Sequence, residues 1–334
     1  LVARCPEYFT GAQDIVYQRR LVRAALLLHD VGHGPFSHAC EAVLGIRHEE
    51  RTRAILELPH VLRLLSDLEV EKADVLELVV GGARNRYPVL TEIVSGPNLD
   101  ADRMDYLLRD AYFTGVSSGR YDSEQLLGSL RVLRTPEGPV MGIDSRGVVA
   151  LESFVLARYM MFATVYFHHT TRMFERILQD ALRELWQVPG QMDGIAEFLQ
   201  WDDFRVMNEL REVPSVAASA LRERSRLYAV AAEFNAEHDL VTYQACNDAL
   251  TQRYGDAVWA DAQEQLMHRL PLGTGDGRPT VYVDGPAGLV DASEASDLIK
   301  KISGKAFWRK LFVERDRVDV ANARAICREI IAKA

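Results

Sequence analysis

Apolar residues recur at helical spacing over most of this chain. Gln18 to Val31 predicts a buried helix, Ala39 to Leu44 opens another, and Val61 to Leu78 keeps an apolar stripe at helical intervals. Two short runs break the rule. Arg131-Val132-Leu133-Arg134 and Val140-Met141-Gly142-Ile143 flank Pro136-Glu137-Gly138 and predict a β-hairpin. A long helix is then predicted from about Gly147 through Trp186, carrying Tyr159, Tyr166 and His169 across a pocket and ended by Pro189-Gly190. Its Met and Phe residues fall at helical spacing and read as core. Shorter helices follow to about residue 270. Gly273 to Pro279 reads as a flexible loop, without the strand-loop-helix setting of a phosphate cradle. Thr280 to Asp284 and Leu311 to Val313 predict strands. The fold class is mainly α: a helical core over 1–190 with a β-hairpin near 129–144, then a helical region and a small C-terminal α+β part over 191–334. There are no repeats, low-complexity tracts or heptads.

Composition narrows the function classes. The 334 residues suffice for one large or two modest domains with a real core. A signal-peptide pattern is absent and no uninterrupted apolar run approaches eighteen residues, so membrane and secretion readings fall away. Cys5, Cys40, Cys246 and Cys327 are scattered without a C-x-x-C and read as reduced thiols of a cytoplasmic protein. The net charge of −9 argues against a stable grip on nucleic acid. A polyanionic ligand must therefore be met by local cations. Arg47, Arg51 and Arg53 surround a His48-Glu49 pair, and Arg84 and Arg86 sit in a glycine-rich loop.

The densest chemistry lies in Leu28-His29-Asp30-Val31-Gly32-His33-Gly34-Pro35-Phe36-Ser37-His38. An adjacent His-Asp pair ends an apolar helix, and two further histidines follow across a Gly-His-Gly-Pro break that bends the backbone. One such histidine is ordinarily a core side chain. The cluster reads as a site for a divalent metal and a phosphate. A second segment, Asp100-Ala101-Asp102-Arg103-Met104-Asp105-Tyr106-Leu107-Leu108-Arg109-Asp110, divides into two stripes on a helical wheel. Met104, Leu107, Leu108 and Ala111 form the core face; Asp102, Tyr106, Arg109 and Phe113 form the other, edged by Arg103 and Asp110. Aromatic rings on that polar face read as a pocket lining.

The motifs HDVGHGPFSH and DADRMDYLLRD resemble the HD-domain phosphohydrolases, and most closely the deoxynucleoside triphosphate triphosphohydrolases, including those that carry a SAM domain. The likeness covers roughly the first 190 residues and fades over the last hundred. The resemblance implies an HD-domain helical core with His29, Asp30 and Asp102 as metal ligands. It places His33 on the phosphates, His38 near the scissile bond, and His48 with Glu49 beside the reacting phosphate, Glu41 supporting. It puts Arg103 on the triphosphate, Tyr106 and Asp110 on the deoxyribose, and His169 in the pocket, with the choice between His168 and His169 left open. The family also has a histidine ligand upstream of the HD helix, and no histidine precedes His29. The resemblance therefore implies either a short N-terminal piece before Leu1 that carries it, which we favour, or an open coordination position.

The residue types fit that chemistry. Imidazole with carboxylate suits Mn, Fe, Ni or Zn, with Mg admissible when water completes the shell. A dication neutralises phosphate oxygens and orients a water. Histidine transfers protons near neutral pH. The function implied is metal-dependent hydrolysis of a dNTP to deoxynucleoside and inorganic triphosphate, with a homo-oligomeric assembly compatible with the resemblance. The alternatives are an HD-type phosphodiesterase or nucleotidase on mono-, cyclic or oligonucleotides, and a nucleotide-sensing module with a weak site.

Overall fold

The computed structural model describes residues 1–9, 12–81, 86–96, 99–136, 138–187, 192, 194–266, 281–286, 288–302 and 305–334. The helices of the first half are α1 (Ala12–Leu28), α2 (His38–Leu44), α3 (His48–Ile55), α4 (Pro59–Asp67), α5 (Lys72–Val80), α6 (Pro88–Ser95), α7 (Ala101–Thr114) and α8 (Ser123–Ser129). Strands β1 (Leu130–Thr135) and β2 (Gly138–Asp144) lead to α9 (Val148–Met161) and α10 (His169–Leu185). Then come α11 (Ile195–Phe198), α12 (Asp203–Glu209), α13 (Val216–Glu223), β3 (Tyr228–Phe234), α14 (Leu240–Tyr254) and β4 (Val258–Leu266). The chain closes with β5 (Tyr282–Gly285), β6 (Gly288–Asp291), α15 (Ala292–Ala295), α16 (Asp297–Ile302), β7 (Lys305–Glu314) and α17 (Val320–Ile331). The protein is mainly α, as its periodicity predicts.

Two compact units interleave along the chain. The first takes Leu1–His33, Gly45–Met161 and Met267–Gly304; the second takes Gly34–Leu44, Phe162–Leu266 and Lys305–Ala334. In the first, α1 buries Leu21, Ala24 and Ala25, α5 buries Val75 and Leu78, and α7 buries Met104, Leu107 and Ala111. Each set repeats every three or four residues, so one helical face supplies the core. A polar tie joins α1 to α5: Tyr17 donates to the buried Asp74, which also accepts from Tyr87 at 3.2 Å and from Arg86. That occupies Arg86, one of the local cations the sequence offers for a polyanion, whereas Arg84 lies outside the described residues. The predicted hairpin forms: β1 and β2 pair antiparallel from Leu130–Ile143 to Thr135–Gly138. Parallel pairing of β2 with β5 extends it to a sheet of order β1-β2-β5-β6.

The second unit is built on a sheet of order β3-β7-β4. Its core includes Ala229, Phe234, Tyr243, Cys246, Leu250, Leu311, Val313, Ala323 and Cys327. Across the sheet, Lys310 has Glu233 and Asp261 as direct register partners, so the three side chains share one face. Arg172 of α10 closes a bidentate pair on the buried Asp261 at 2.9 and 3.0 Å. Burial holds the Lys310 ammonium below its usual pKa, while Glu233 and Asp261 oppose the shift. Cys5, Cys40, Cys246 and Cys327 are all buried.

Three sequence-based elements need correction. Val61 to Leu78 is two helices, because Glu69 turns left-handed at φ 53° between α4 and α5. The helix predicted through Trp186 is interrupted: a π-turn over Phe162–Tyr166 follows α9, and His168 leaves helical geometry at ψ 139° to cap α10. Helix α10 ends at Leu185, and Pro189 and Gly190 lie outside the described residues, as do Gly273 to Pro279. Finally, β3 and β4 are strands where short helices were expected. Their alanines and polar residues mute the alternation that normally marks a strand.

Residues 145–166 are, by length and apolar composition, helical enough to cross a membrane, which the sequence reading discounted. Within the first unit this run buries Ala150, Leu151, Phe154, Val155 and Met161. Glu152 accepts from Ser296 there, and Arg158 bonds Tyr106. The helix thus has packing partners on several sides.

Candidate active site

The first unit gathers six of the predicted residues at the end of α1. Leu28 closes the helix, and His29 and Asp30 stand in the turn that follows. The turn reverses tightly because Gly32 has no side chain. A Cβ at Gly32 would lie 2.1 Å from the His48 carbonyl and 2.4 Å from the Thr52 amide. The Gly32 amide donates to Thr52 Oγ1 at 3.0 Å, so α3 lies against the His-Asp turn. This contact carries His48 to His33: their rings stack at 3.9 Å with planes 20° apart.

Helix α7 delivers Asp102. Its N-cap is Asp100, which accepts from the Arg103 amide at 2.7 Å and leaves Asp102, in the first turn, unneeded for capping. His29 Nε2 lies 3.3 Å from Asp30 Oδ2 and 3.4 Å from Asp102 Oδ1. The other ring nitrogen meets the Leu26 carbonyl at 2.9 Å, which fixes the ring. The Nε2 atom is buried and finds no aligned hydrogen bond among the described residues; its carboxylate contacts are ionic ones. Asp102 first, then the charge of Asp30, pull this imidazole up to about pKa 9 against the burial that would lower it. Such a field favours positive charge at this point. One imidazole nitrogen and two carboxylates lie within 4.8 Å of one another, so a divalent ion fits the donor set.

Around this centre, Asp30 Oδ1 lies 3.7 Å from His33 Nε2 and 4.0 Å from His48 Nε2. Glu49 stands 3.7 Å from His48 Nδ1 and is bonded by Arg47. Burial pushes the Glu49 carboxyl up, yet its own backbone amide, Arg47 and His48 together hold it below its ordinary value.

Arg103 bonds its own N-cap, Asp100, and the Gly96 carbonyl. Burial pushes Asp100 up to about pKa 6, with Arg103 and the capping amide pulling it back. Tyr106 is part-buried one turn on and bonds Arg158 of α9. Arg158 is not among the residues the sequence singles out, since its spacing does not set it apart from Glu152 on the same helix. Asp110 is part-buried near the other end of α7. The predicted pocket face then opens to solvent: Arg109 pairs with Asp105 at 2.7 Å, and Phe113 is 77% exposed.

The other predicted residues belong to the second unit. His38 begins α2 and meets Glu41 at 2.9 Å. His169 contacts Glu233 at 3.2 Å, while His168 caps α10 by accepting from the Thr170 amide at 3.3 Å. Burial first, then the adjacent His169, lowers the His168 pKa.

A family model described as an HD associated region matches residues 122–252. It begins a few residues after the helix that carries Asp102. The chain is similar to HD-domain proteins. The chain is 43% identical over 175 residues to the uncharacterized protein YwfO of Bacillus subtilis, a match covering 51% of this chain and 38% of that one. It is 26% identical over 200 residues to the Dictyostelium discoideum protein named deoxynucleoside triphosphate triphosphohydrolase SAMHD1 homolog, covering 56% of this chain and 38% of that one. The chain thus spans about two fifths of these relatives' length. A solved structure of a hypothetical protein from Aquifex aeolicus is similar over 96% of this chain and 82% of its own, with a TM-score of 0.77 and 27% identity.

Proposed function

We propose that this protein is a divalent-metal-dependent nucleotide phosphohydrolase whose preferred reaction takes a dNTP to deoxynucleoside and inorganic triphosphate. The observation that carries the reading is the convergence of buried His29 Nε2 with the carboxylates of Asp30 and Asp102, next to a stacked histidine pair. The named activity of the Dictyostelium relative supports the substrate class.

In this reading His29, Asp30 and Asp102 hold one divalent ion, of Mn, Mg, Fe, Ni or Zn. A bound dication would neutralise phosphate oxygens and lower the pKa of a water. His29 must then be neutral, its place in the field of the two acids taken over by the ion. His33 and His48 face the phosphates, and His48 gives a proton to the departing 5′-oxygen as the bond to the α-phosphorus breaks. Glu49 steadies that imidazole. In the second unit His38 is paired with Glu41 and His169 with Glu233; the resemblance gives His38 a catalytic role and His169 a substrate-binding one. Arg103, fixed by Asp100 and Gly96, lends positive charge to the phosphate tail.

Tyr106 and Asp110 hold the sugar. A ring braced by Arg158 leaves no room for a 2′-hydroxyl, and the Asp110 carboxylate accepts from the 3′-hydroxyl. Rejection by a rigid ring exceeds what an apolar slot achieves by failing to bond an extra oxygen, about 10²-fold. Wild type should therefore prefer dGTP to GTP in kcat/KM, and Tyr106→Ala should narrow the ratio chiefly by admitting GTP. Equal values for both sugars in wild type would replace the dNTPase reading with a phosphodiesterase or nucleotidase.

A further inference from the structure

Between His33 and α2 the backbone takes an uncommon path. Phe36 and Ser37 are consecutive non-glycine residues in the left-handed region, at φ 58° and 49°. Two left-handed residues in a row persist where the surroundings over-determine them. Here the second unit supplies two restraints. Gly34 is packed so closely that a Cβ would lie 2.6 Å from Cys40 Sγ and 3.0 Å from the Phe198 ring of α11. The Phe36 amide donates to Asp203 Oδ1 at 2.9 Å. Asp203 is the first residue of α12, whose start is itself fixed: Asp202 caps it by accepting from the Arg205 amide at 2.7 Å, and the Arg205 guanidinium lies 4.2 Å from the centre of the Trp201 ring.

We propose that Asp203 is a positioning residue. By holding the Phe36 amide it fixes the left-handed pair from which α2 starts, and so the direction in which that helix presents His38 and Glu41. The Ser37 carbonyl accepts from the amides of Cys40 and Glu41 at 3.1 and 3.3 Å, so a rotation at Ser37 is passed directly into the first turn of α2. The assignment rests on the reading of His38 as a group of the reacting site. The restraint on Phe36 stands on geometry of its own.

The test uses Asp203→Ala and Asp203→Asn, each with and without Ser37→Gly. Asparagine keeps the Oδ1 acceptor, and glycine enters the left-handed region without strain. Asp203→Ala should speed amide exchange at Phe36 roughly tenfold, the scale of one ordinary hydrogen bond. It should also lower kcat more than it raises KM. Asp203→Asn should stay near wild type in both measures, and Ser37→Gly should restore part of the kcat lost in Asp203→Ala. Unchanged exchange at Phe36 in Asp203→Ala overturns the proposal, as does faster exchange with wild-type kcat. If wild type turns over no nucleotide, the function reading fails, and exchange in Asp203→Ala still decides whether Asp203 holds the loop.

Discussion

Asp102→Ala is expected to abolish turnover and to strip the metal while the fold stays near intact. The two effects separate because α7 is capped by its neighbour. Asp100, not Asp102, accepts the amide hydrogen bond that starts the helix, and it is Asp100 that pairs with Arg103. Asp102 instead directs its carboxylate at His29. Removing it would leave two of the three proposed protein ligands on this chain. Loss of a group that merely supports a metal ligand already costs 10–100-fold in affinity or activity, to order of magnitude, so loss of a ligand should cost more. Asp100→Ala is the contrasting variant: it should cost about 0.5–2 kcal/mol of stability, the usual range for a lost N-cap. Elemental analysis and a thermal melt of both variants check this. Unchanged metal content in Asp102→Ala would remove that residue from the shell.

His48→Ala should lower kcat by roughly two to four decades, the usual size of a proton-transfer contribution, with a smaller change in KM. The imidazole stacks on His33 and lies near Glu49, so truncation also leaves His33 without that ring neighbour. The His33→Ala variant separates the two roles. If His33 serves to bind phosphate, its removal should appear mostly in KM. Steady-state kinetics on both variants decide the assignment. Wild-type kcat in His48→Ala would transfer the proton-donating role to His38.

Much of this site is legible because its geometry is local. His29 and Asp30 are adjacent, His33 is one turn on, and a helix beginning at Ala101 with an aspartate cap is a short-range signal. The encounter of His48 with His33 is less local, since it depends on the missing Cβ of Gly32 and on Thr52, twenty residues away. Arg158 was not legible, because only the packing of α9 brings it to Tyr106. Strands β3 and β4 are hidden by alanine and by Glu233 and Asp261, which stand opposite Lys310 in the sheet, with Asp261 also paired to Arg172 of α10. Sequence periodicity counts such residues as solvated, and in this sheet they meet one another instead. The interruption at His168 was missed for a related reason: no proline or glycine marks it, and the histidine side chain itself supplies the cap.

The central claim is that this chain hydrolyses a dNTP at the α-phosphorus using a divalent ion. Product analysis after incubation with each of the four dNTPs and Mn or Mg tests it most directly. The expected products are deoxynucleoside and intact inorganic triphosphate in equal amounts, dependent on added metal and absent in Asp102→Ala. Pyrophosphate with a nucleoside monophosphate, stepwise release of single phosphates, or no release from any dNTP would contradict it.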